Sequence, residues 1–436
     1  MGLSEAMESE AISVVNTEAI QKNYPAKIAE LLNFIVVNAS YLSSIDFRTV
    51  MKRSLFYACL LFSFQTSGQA ITGLNFSHWY NPQNEVSLQL NLVRETNQWM
   101  VHYQLKSLAP GVERYTITWE KRLSFSSRDV LSVNEKDSVT VSNANQRKGQ
   151  LIFAPSPKPW LLLAKVVNNE TQKAWYYYQF MDPIYPTSGW LEDENGWITD
   201  HFATFKKRYT LRNQSGKIIY VSFYNREFSA PLPPFSEKAI PTDQFLFHDS
   251  TFKIAPGGSF IPKRIGLYLF QQDTVTADGF ALRVLDESYP KLAKIDDLIW
   301  PLLFITTPDE FKQLVGAKGD KPKFDKVILD ITRDKDRARN FMRSYFQRVE
   351  LANRYFSSFK EGWKTDRGMI YTVFGVPDEV SKNQGNEVWY YRGTNSRFTF
   401  VKAGSIYDAD NYVLLRDKRF MEAWYSTIDL WRKSRF

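Results

Sequence analysis

Residues 86–105 read VSLQLNLVRETNQWMVHYQL. Val86, Leu88, Leu90 and Leu92 alternate with polar residues, Thr96, Asn97 and Gln98 interrupt the run, and Trp99, Val101, Tyr103 and Leu105 resume it. A period of two puts each apolar set on one face of an extended strand, so the pair predicts a hairpin. Tyr115, Ile117 and Trp119 repeat the pattern after turn residues Ala109, Pro110 and Gly111. Short alternating runs at this spacing predict an antiparallel β-sandwich over residues 71–185. The aromatic content of 15% fits β-structure.

A Pro/Gly-bearing acidic stretch, 182–196 (DPIYPTSGWLEDENG), breaks the alternation. Beyond it, strands are predicted near 208–211, 218–224, 259–260, 266–270 and 280–285, giving a second sandwich-like domain over 197–290. Helical period appears only later. Thr307, Pro308 and Glu310 make a capping box for a helix to about Val315. Ala338, Phe341, Tyr345, Val349, Ala352, Phe356 and Phe359 step by three or four and predict a long helix over 334–359. Its other face carries Arg337, Arg339, Arg343, Arg348 and Arg354. The fold class is therefore mainly β with a C-terminal α+β module: two antiparallel β-sandwich-like domains, then a helical segment and a module over 300–436.

Upstream of all this, Met51-Lys52-Arg53 is a basic n-region, 55–64 (LFYACLLFSF) an apolar h-region, and 65–70 (QTSGQA) ends in small residues. That order predicts a signal peptide over 51–70, cleaved after Ala70. Its apolar run falls short of the roughly 20 residues needed to span a bilayer. Residues 1–50 lack a basic n-region and read as an over-extended gene start. Cys59, the single cysteine, sits in the h-region without the spacing of a lipoprotein site, so neither disulfides nor thiol chemistry is expected after cleavage. His78, His102, His201 and His248 show no metal-ligand spacing, and neither a metal nor another cofactor is expected. The net charge of +8 and pI near 9.1 would point to nucleic acid in a cytoplasmic chain. In an exported one they suit anionic lipid or acidic glycan, or simply a solvated basic surface.

The densest signal is residues 361–380, EGWKTDRGMIYTVFGVPDEV, followed by EVWYY (387–391) and RFTF (397–400). Met369 to Phe374 reads as a short buried strand, with Gly375 and Pro377 turning the chain. Gly362, Trp363, Thr365, Asp366, Arg367 and Gly368, then Tyr371, Gly375, Pro377 and Asp378, then Trp389 and Tyr391, resemble the GWxTD domain, a family found in envelope proteins of Bacteroidetes and related bacteria. The family's Phe-Trp and Arg-Asp-Pro ahead of the long helix are replaced by Ile328-Leu329 and Arg333-Asp334-Lys335. A weaker similarity joins Gly375-Val376-Pro377 and Trp389-Tyr390-Tyr391 to the BamE or SmpA type of small lipoprotein in outer-membrane β-barrel assembly, in which the segment before the turn is helical. A second pentapeptide, Gly196-Trp197-Ile198-Thr199-Asp200, lacks the flanking residues and reads as coincidence.

Three readings of the motif stand side by side. In the structural one, Thr365 and Asp366 cap the loop backbone and Arg367 pairs with Asp366 or Asp378. In the second, Trp363, Thr365, Asp366, Arg367, Tyr371, Pro377, Asp378, Trp389 and Tyr391 form a recognition surface, since Trp, Tyr and Arg often carry binding energy. In the third, Asp366 works with Asp378 or Glu379 as an acid–base pair, without a nucleophile or metal set beside it. At the C-terminal end, Phe420, Trp424, Ile428 and Trp431 at helical spacing, ringed by cations, suit either an anionic membrane surface or packing on the module.

The expected function is that of a non-enzymatic periplasmic or outer-membrane-associated interaction protein, supporting outer-membrane assembly or secretion. Its expected partner is an envelope protein or the inner surface of the outer membrane, not nucleic acid. The alternative is a carbohydrate-binding or glycan-processing envelope protein using Trp99, Trp119 or Tyr176 to Tyr178 as stacking platforms.

Overall fold

The alternation at 86–105 folds as a hairpin of β1 (Val86–Arg94) and β2 (Trp99–Ser107), with Leu88 opposite Leu105 and Leu90 opposite Tyr103. A computed structural model describes residues 69–94, 97–183, 189–198, 200–213, 216–238 and 246–435. The extension at 1–50, Cys59 and nearly all of the expected signal peptide lie outside them, as does Thr199 of the second pentapeptide.

Six more strands complete the first sandwich: β3 (Tyr115–Arg122), β4 (Leu131–Ser132), β5 (Ser138–Ser142), β6 (Gln146–Phe153), β7 (Trp160–Asn168) and β8 (Ala174–Met181). They form two four-stranded sheets, ordered β1-β2-β6-β5 and β4-β3-β7-β8. Tyr103, Leu105, Ala164, Val166, Trp175 and Tyr177 fill one part of the core between them, and Trp99, Val101, Leu151, Trp160 and Leu162 the other. Register is pinned by this burial, because a one-residue slip would turn the inward set to solvent.

The second set of strands is β9 (Trp190–Asp193), β10 (Gly196–Trp197), β11 (Phe202–Thr204), β12 (Tyr209–Arg212), β13 (Ile219–Tyr224), β14 (Ser250–Ile254), β15 (Ser259–Phe260), β16 (Gly266–Gln271) and β17 (Phe280–Leu285). Their sheets are ordered β10-β9-β12-β15 and β11-β17-β16-β13-β14, with β11 parallel to β17 and every other pair antiparallel. The molecule is thus mainly β, with helices gathered towards its C-terminal end.

Those helices are α1 (Ile295–Ile299), α2 (Pro308–Gly316), α3 (Lys321–Thr332), α4 (Lys335–Phe356), α5 (Asp366–Phe374) and α6 (Met421–Arg432). The capping box at Thr307 and Glu310 is formed. Asp334 caps α4, which ends at Phe356 rather than 359 because Ser357 turns extended. A four-stranded sheet of β18 (Glu379–Lys382), β19 (Asn386–Tyr391), β20 (Ser396–Lys402) and β21 (Tyr412–Leu414) packs against them.

One expectation is corrected, and one pair of alternatives is decided. Met369 to Phe374 is helical, not a strand. Met369, Ile370, Tyr371 and Val373 are buried around the whole of α5, and a helix apolar on every side carries no 3.6-residue period to distinguish it from a buried strand. The C-terminal helix turns its aromatics inward: Phe420, Trp424 and Trp431 are buried, Trp431 Nε1 donates to Val373 O at 2.8 Å, and Arg432 grips Glu310 at 2.6 and 2.7 Å. The aromatic face is therefore spent on the module and not on a membrane.

The same core that holds these helices also takes in Ile71, Leu74, Phe76 and Tyr80, together with Leu161 and Leu163 of β7. The segment directly after the expected cleavage point thus ties the first sandwich to the C-terminal module.

Candidate functional site

The GWKTD motif joins α4 to the start of α5, and Gly362, Trp363, Thr365 and Asp366 each have a mechanical reason to be what they are. Gly362 lies so close to α4 that a Cβ there would overlap the carbonyl oxygen of Ala352. Trp363 donates its backbone N–H to Asn353 Oδ1 at 3.1 Å and is buried against Phe304. The Thr365 hydroxyl accepts from Gly368 N at 2.9 Å and donates to Gly362 O at 2.7 Å, which caps α5 and closes the turn before it. Gly368 faces that same carbonyl, where a Cβ would overlap Gly362 O. The two glycines let the turn fold back on the first turn of α5.

Asp366 accepts from Leu414 N at 2.8 Å and holds Arg416 at 2.6 Å, so it joins α5 to the end of β21. Arg416 also donates to Leu232 O at 3.2 Å. The expected pairing of Arg367 with Asp366 or Asp378 is not formed. Arg367 instead reaches Glu387 at 3.3 Å and lies 4.4 Å over the Tyr412 ring. Asp378 accepts from Arg392 N at 2.8 Å in the turn after β19. Tyr391 Oη donates to Gly375 O at 2.8 Å, and Pro377 is buried in that turn.

Taken together, Trp363, Thr365, Asp366, Tyr371, Pro377, Trp389 and Tyr391 are buried, Arg367 is half-buried and Asp378 alone is exposed. These nine residues do not make a recognition surface. Apart from exposed Asp378 and half-buried Arg367, they belong to the interior, as the structural reading has it, with the partners corrected.

At the centre lies a residue outside the expected site. Glu387 on β19 is 0% exposed. Its Oε1 accepts from Tyr80 Oη and Trp389 Nε1, both at 2.6 Å, and its Oε2 from Lys382 Nζ at 3.0 Å and Arg367 at 3.3 Å. Burial alone would raise this carboxyl, but Lys382 and Arg367 outweigh it and hold it below its ordinary value. Burial lowers the Lys382 ammonium despite Glu387 beside it, and burial with Glu387 pushes the Tyr80 phenol well up. A carboxylate has about four lone-pair positions, and four donors occupy them. No lone pair remains to take a proton from a substrate, so the cluster acts as a hub that joins strands and helix.

A signal for this hub is present in the register. Val380 opposes Trp389 and Lys382 opposes Glu387, so Lys382 and Glu387 fall on the inward positions of strands whose other inward residues are Val380, Trp389 and Tyr391. A charge at an inward position must be paired there. Tyr80 gave no such signal, being 307 positions away in sequence.

No curated protein matches the chain. Among solved structures, one described as "Crystal structure of DIP-gamma IG1+IG2" is similar at 12% identity over 46% of this chain and 95% of that chain, with a TM-score of 0.17. Residues 266–433, from β16 through α6, match the family model of the GWxTD domain, so this part of the chain is a GWxTD domain.

Proposed function

We propose that this chain is an exported, non-enzymatic protein of the cell envelope that supports outer-membrane assembly or secretion by engaging a protein partner through its GWxTD domain. The observation that carries the reading is the seating of residues 71–80, which follow the expected signal peptide at once. This segment, two 3-10 turns (Ile71–Gly73 and Ser77–Tyr80) joined by residues 74–76, passes the edge of β18 and enters the hub, with Phe76 N donating to Val380 O at 2.8 Å. A domain that takes a separate stretch of chain into its centre is suited to holding polypeptide.

The acid–base alternative has little support, because Asp366 and Asp378 each accept from a backbone amide, of Leu414 and Arg392. The stacking-platform alternative fares no better: Trp99 and Tyr177 are buried between the sheets, and Trp119, Tyr176 and Tyr178 pack against the cores. The helix before the Gly-x-Pro turn removes one difference from the β-barrel assembly lipoproteins.

The test is expression of the chain from Met51 in a Gram-negative host, followed by fractionation and N-terminal sequencing. A mature chain starting at Ile71 in the periplasm or outer-membrane fraction is expected. An uncleaved chain retained in the cytosol would remove the envelope role.

A further inference from the structure

The GWxTD match begins at Gly266, yet the middle of the matched domain is finished by residues 75–80, far outside it. The contacts are those of a ligand in a site. Asn75 imitates a strand backbone: its Oδ1 accepts from Val380 N at 2.9 Å and its Nδ2 donates to Asp378 O at 3.3 Å. The N–H of Phe76 then bonds the Val380 carbonyl, so the outer edge of β18 is read in both directions. Tyr80 is gripped at both ends. Its backbone oxygen accepts from Tyr371 Oη at 2.8 Å, while its phenol donates to Glu387 at 2.6 Å and accepts from Lys382 at 2.9 Å. Its ring lies 5.1 Å from Trp389, 5.2 Å from Phe356 and 6.1 Å from Tyr355.

Within the family-matched stretch, then, stand a free strand edge and a tyrosine-shaped aromatic pocket with a carboxylate and an ammonium at its base. Both polar groups are buried, and both lose a partner if the pocket is empty. We propose that this groove is a peptide-binding site for an Asn-Phe-x-x-x-Tyr segment that crosses the β18 edge at Asn-Phe and enters the pocket on a 3-10 turn. Here the site is filled in cis by residues 75–80, and it accepts the same segment as a separate chain. Hydrogen bonds from Asn75 and Phe76 to the β18 edge supply affinity, and the Tyr80 pocket supplies selectivity. The inference rests on the interaction role proposed above and names its ligand. Its failure would leave the export and envelope reading to be judged by fractionation alone.

The experiment uses the whole mature chain with a specific protease site inserted at the turn of Pro82 and Gln83, which separates the segment from β1. After cleavage, a fluorescein-labelled peptide of residues 69–81 is titrated in and followed by anisotropy. Saturable uptake by the nicked chain and none by the uncut chain is expected. A site built around a hydroxyl discriminates against the analogue lacking it, so a Tyr80→Phe peptide should bind at least about 10-fold more weakly. A Tyr80→Ala peptide should bind about 100-fold more weakly. Three results overturn the proposal: a nicked chain that stays folded and takes up no peptide after release of its own segment in mild denaturant, uptake indifferent to Tyr80, or aggregation once the segment leaves. The last would make residues 75–80 ordinary core.

Discussion

Replacing Glu387 by Gln removes one charge and almost no volume, and it tests whether this carboxylate is the hub of the GWxTD domain. Four donors converge on it, and an amide offers only one oxygen. With the amide nitrogen at the Oε1 position, the Trp389 indole N–H faces another donor. At the Oε2 position, the amide faces Lys382 and Arg367. Either way a buried donor is orphaned, at about 1–3 kcal/mol, and two cations lose their counter-charge. Breaking a buried ion pair from one side costs about 3–5 kcal/mol in all, and the orphaned donor is part of that sum. For a cooperative unit the size of the matched domain, 1 kcal/mol moves the midpoint by about 2–4 °C. The module's transition should therefore fall by about 6–20 °C in differential scanning calorimetry of the mature chain. Lys382→Met deletes a cation whose burial is itself unfavourable and leaves Glu387 three donors, so its loss should be smaller. The Glu387 carboxyl is held below its ordinary value, so its contribution is complete above the unfolded value of about 4.5. That contribution disappears as pH falls through the lower folded value, and the advantage of wild type over Glu387→Gln should shrink there. A Glu387→Gln midpoint within about 2 °C of wild type, or a larger loss for Lys382→Met, would refute the hub role.

Gly368→Ala should prevent the module from folding, because its Cβ would overlap a backbone carbonyl that cannot retreat. Gly385→Ala, with open space around its Cβ, should be neutral. Near-UV circular dichroism of the two variants separates them, and a native spectrum for Gly368→Ala contradicts the close-approach account. His102 offers a pH test in the first sandwich, where it is buried against Trp190 and Trp197. Burial lowers its pKa from 6.5 to about 4, only partly offset by Glu192. The unfolded chain takes up this proton at higher pH than the folded one, so stability should fall as pH drops from 6.5 towards 4. Between pH 7 and 4.5, His102→Gln should lose about 2–3 kcal/mol less than wild type in urea titrations. Equal losses would mean that the ring is not held neutral.

Where the fold rests on one period and one face, it was legible. The hairpin at 86–105, the strands at 280–285 and 219–224, and the long helix α4 all declare themselves by spacing that burial enforces. The helix α5 did not, since burial on all its sides erased the period. The one local signal for it is Thr365 three residues before Gly368, a spacing that suits a loop cap as well as a helix cap. The helix α3 does carry the marks of a helix: Asp320 caps it and Phe324, Val327, Ile328 and Ile331 line one face.

The site was legible to a different depth. Gly362, Trp363, Thr365, Asp366, Arg367 and Gly368 stand out as a motif because each satisfies a constraint within a few residues or against the next element, and such constraints leave marks in spacing. Their partners leave none. Arg416, Asn353, Lys382 and Tyr80 are ordinary residue types in ordinary contexts, chosen by the tertiary fold. This asymmetry explains why a surface of binding residues was a natural inference from Trp, Tyr and Arg in a loop. The same residue types that carry interfaces also carry a buried polar junction, since both need rigid rings with a polar tip and planar cations. Only burial separates the two uses, and in this domain the two meet at Tyr80: its pocket is interior to the folded chain and exterior to the GWxTD domain.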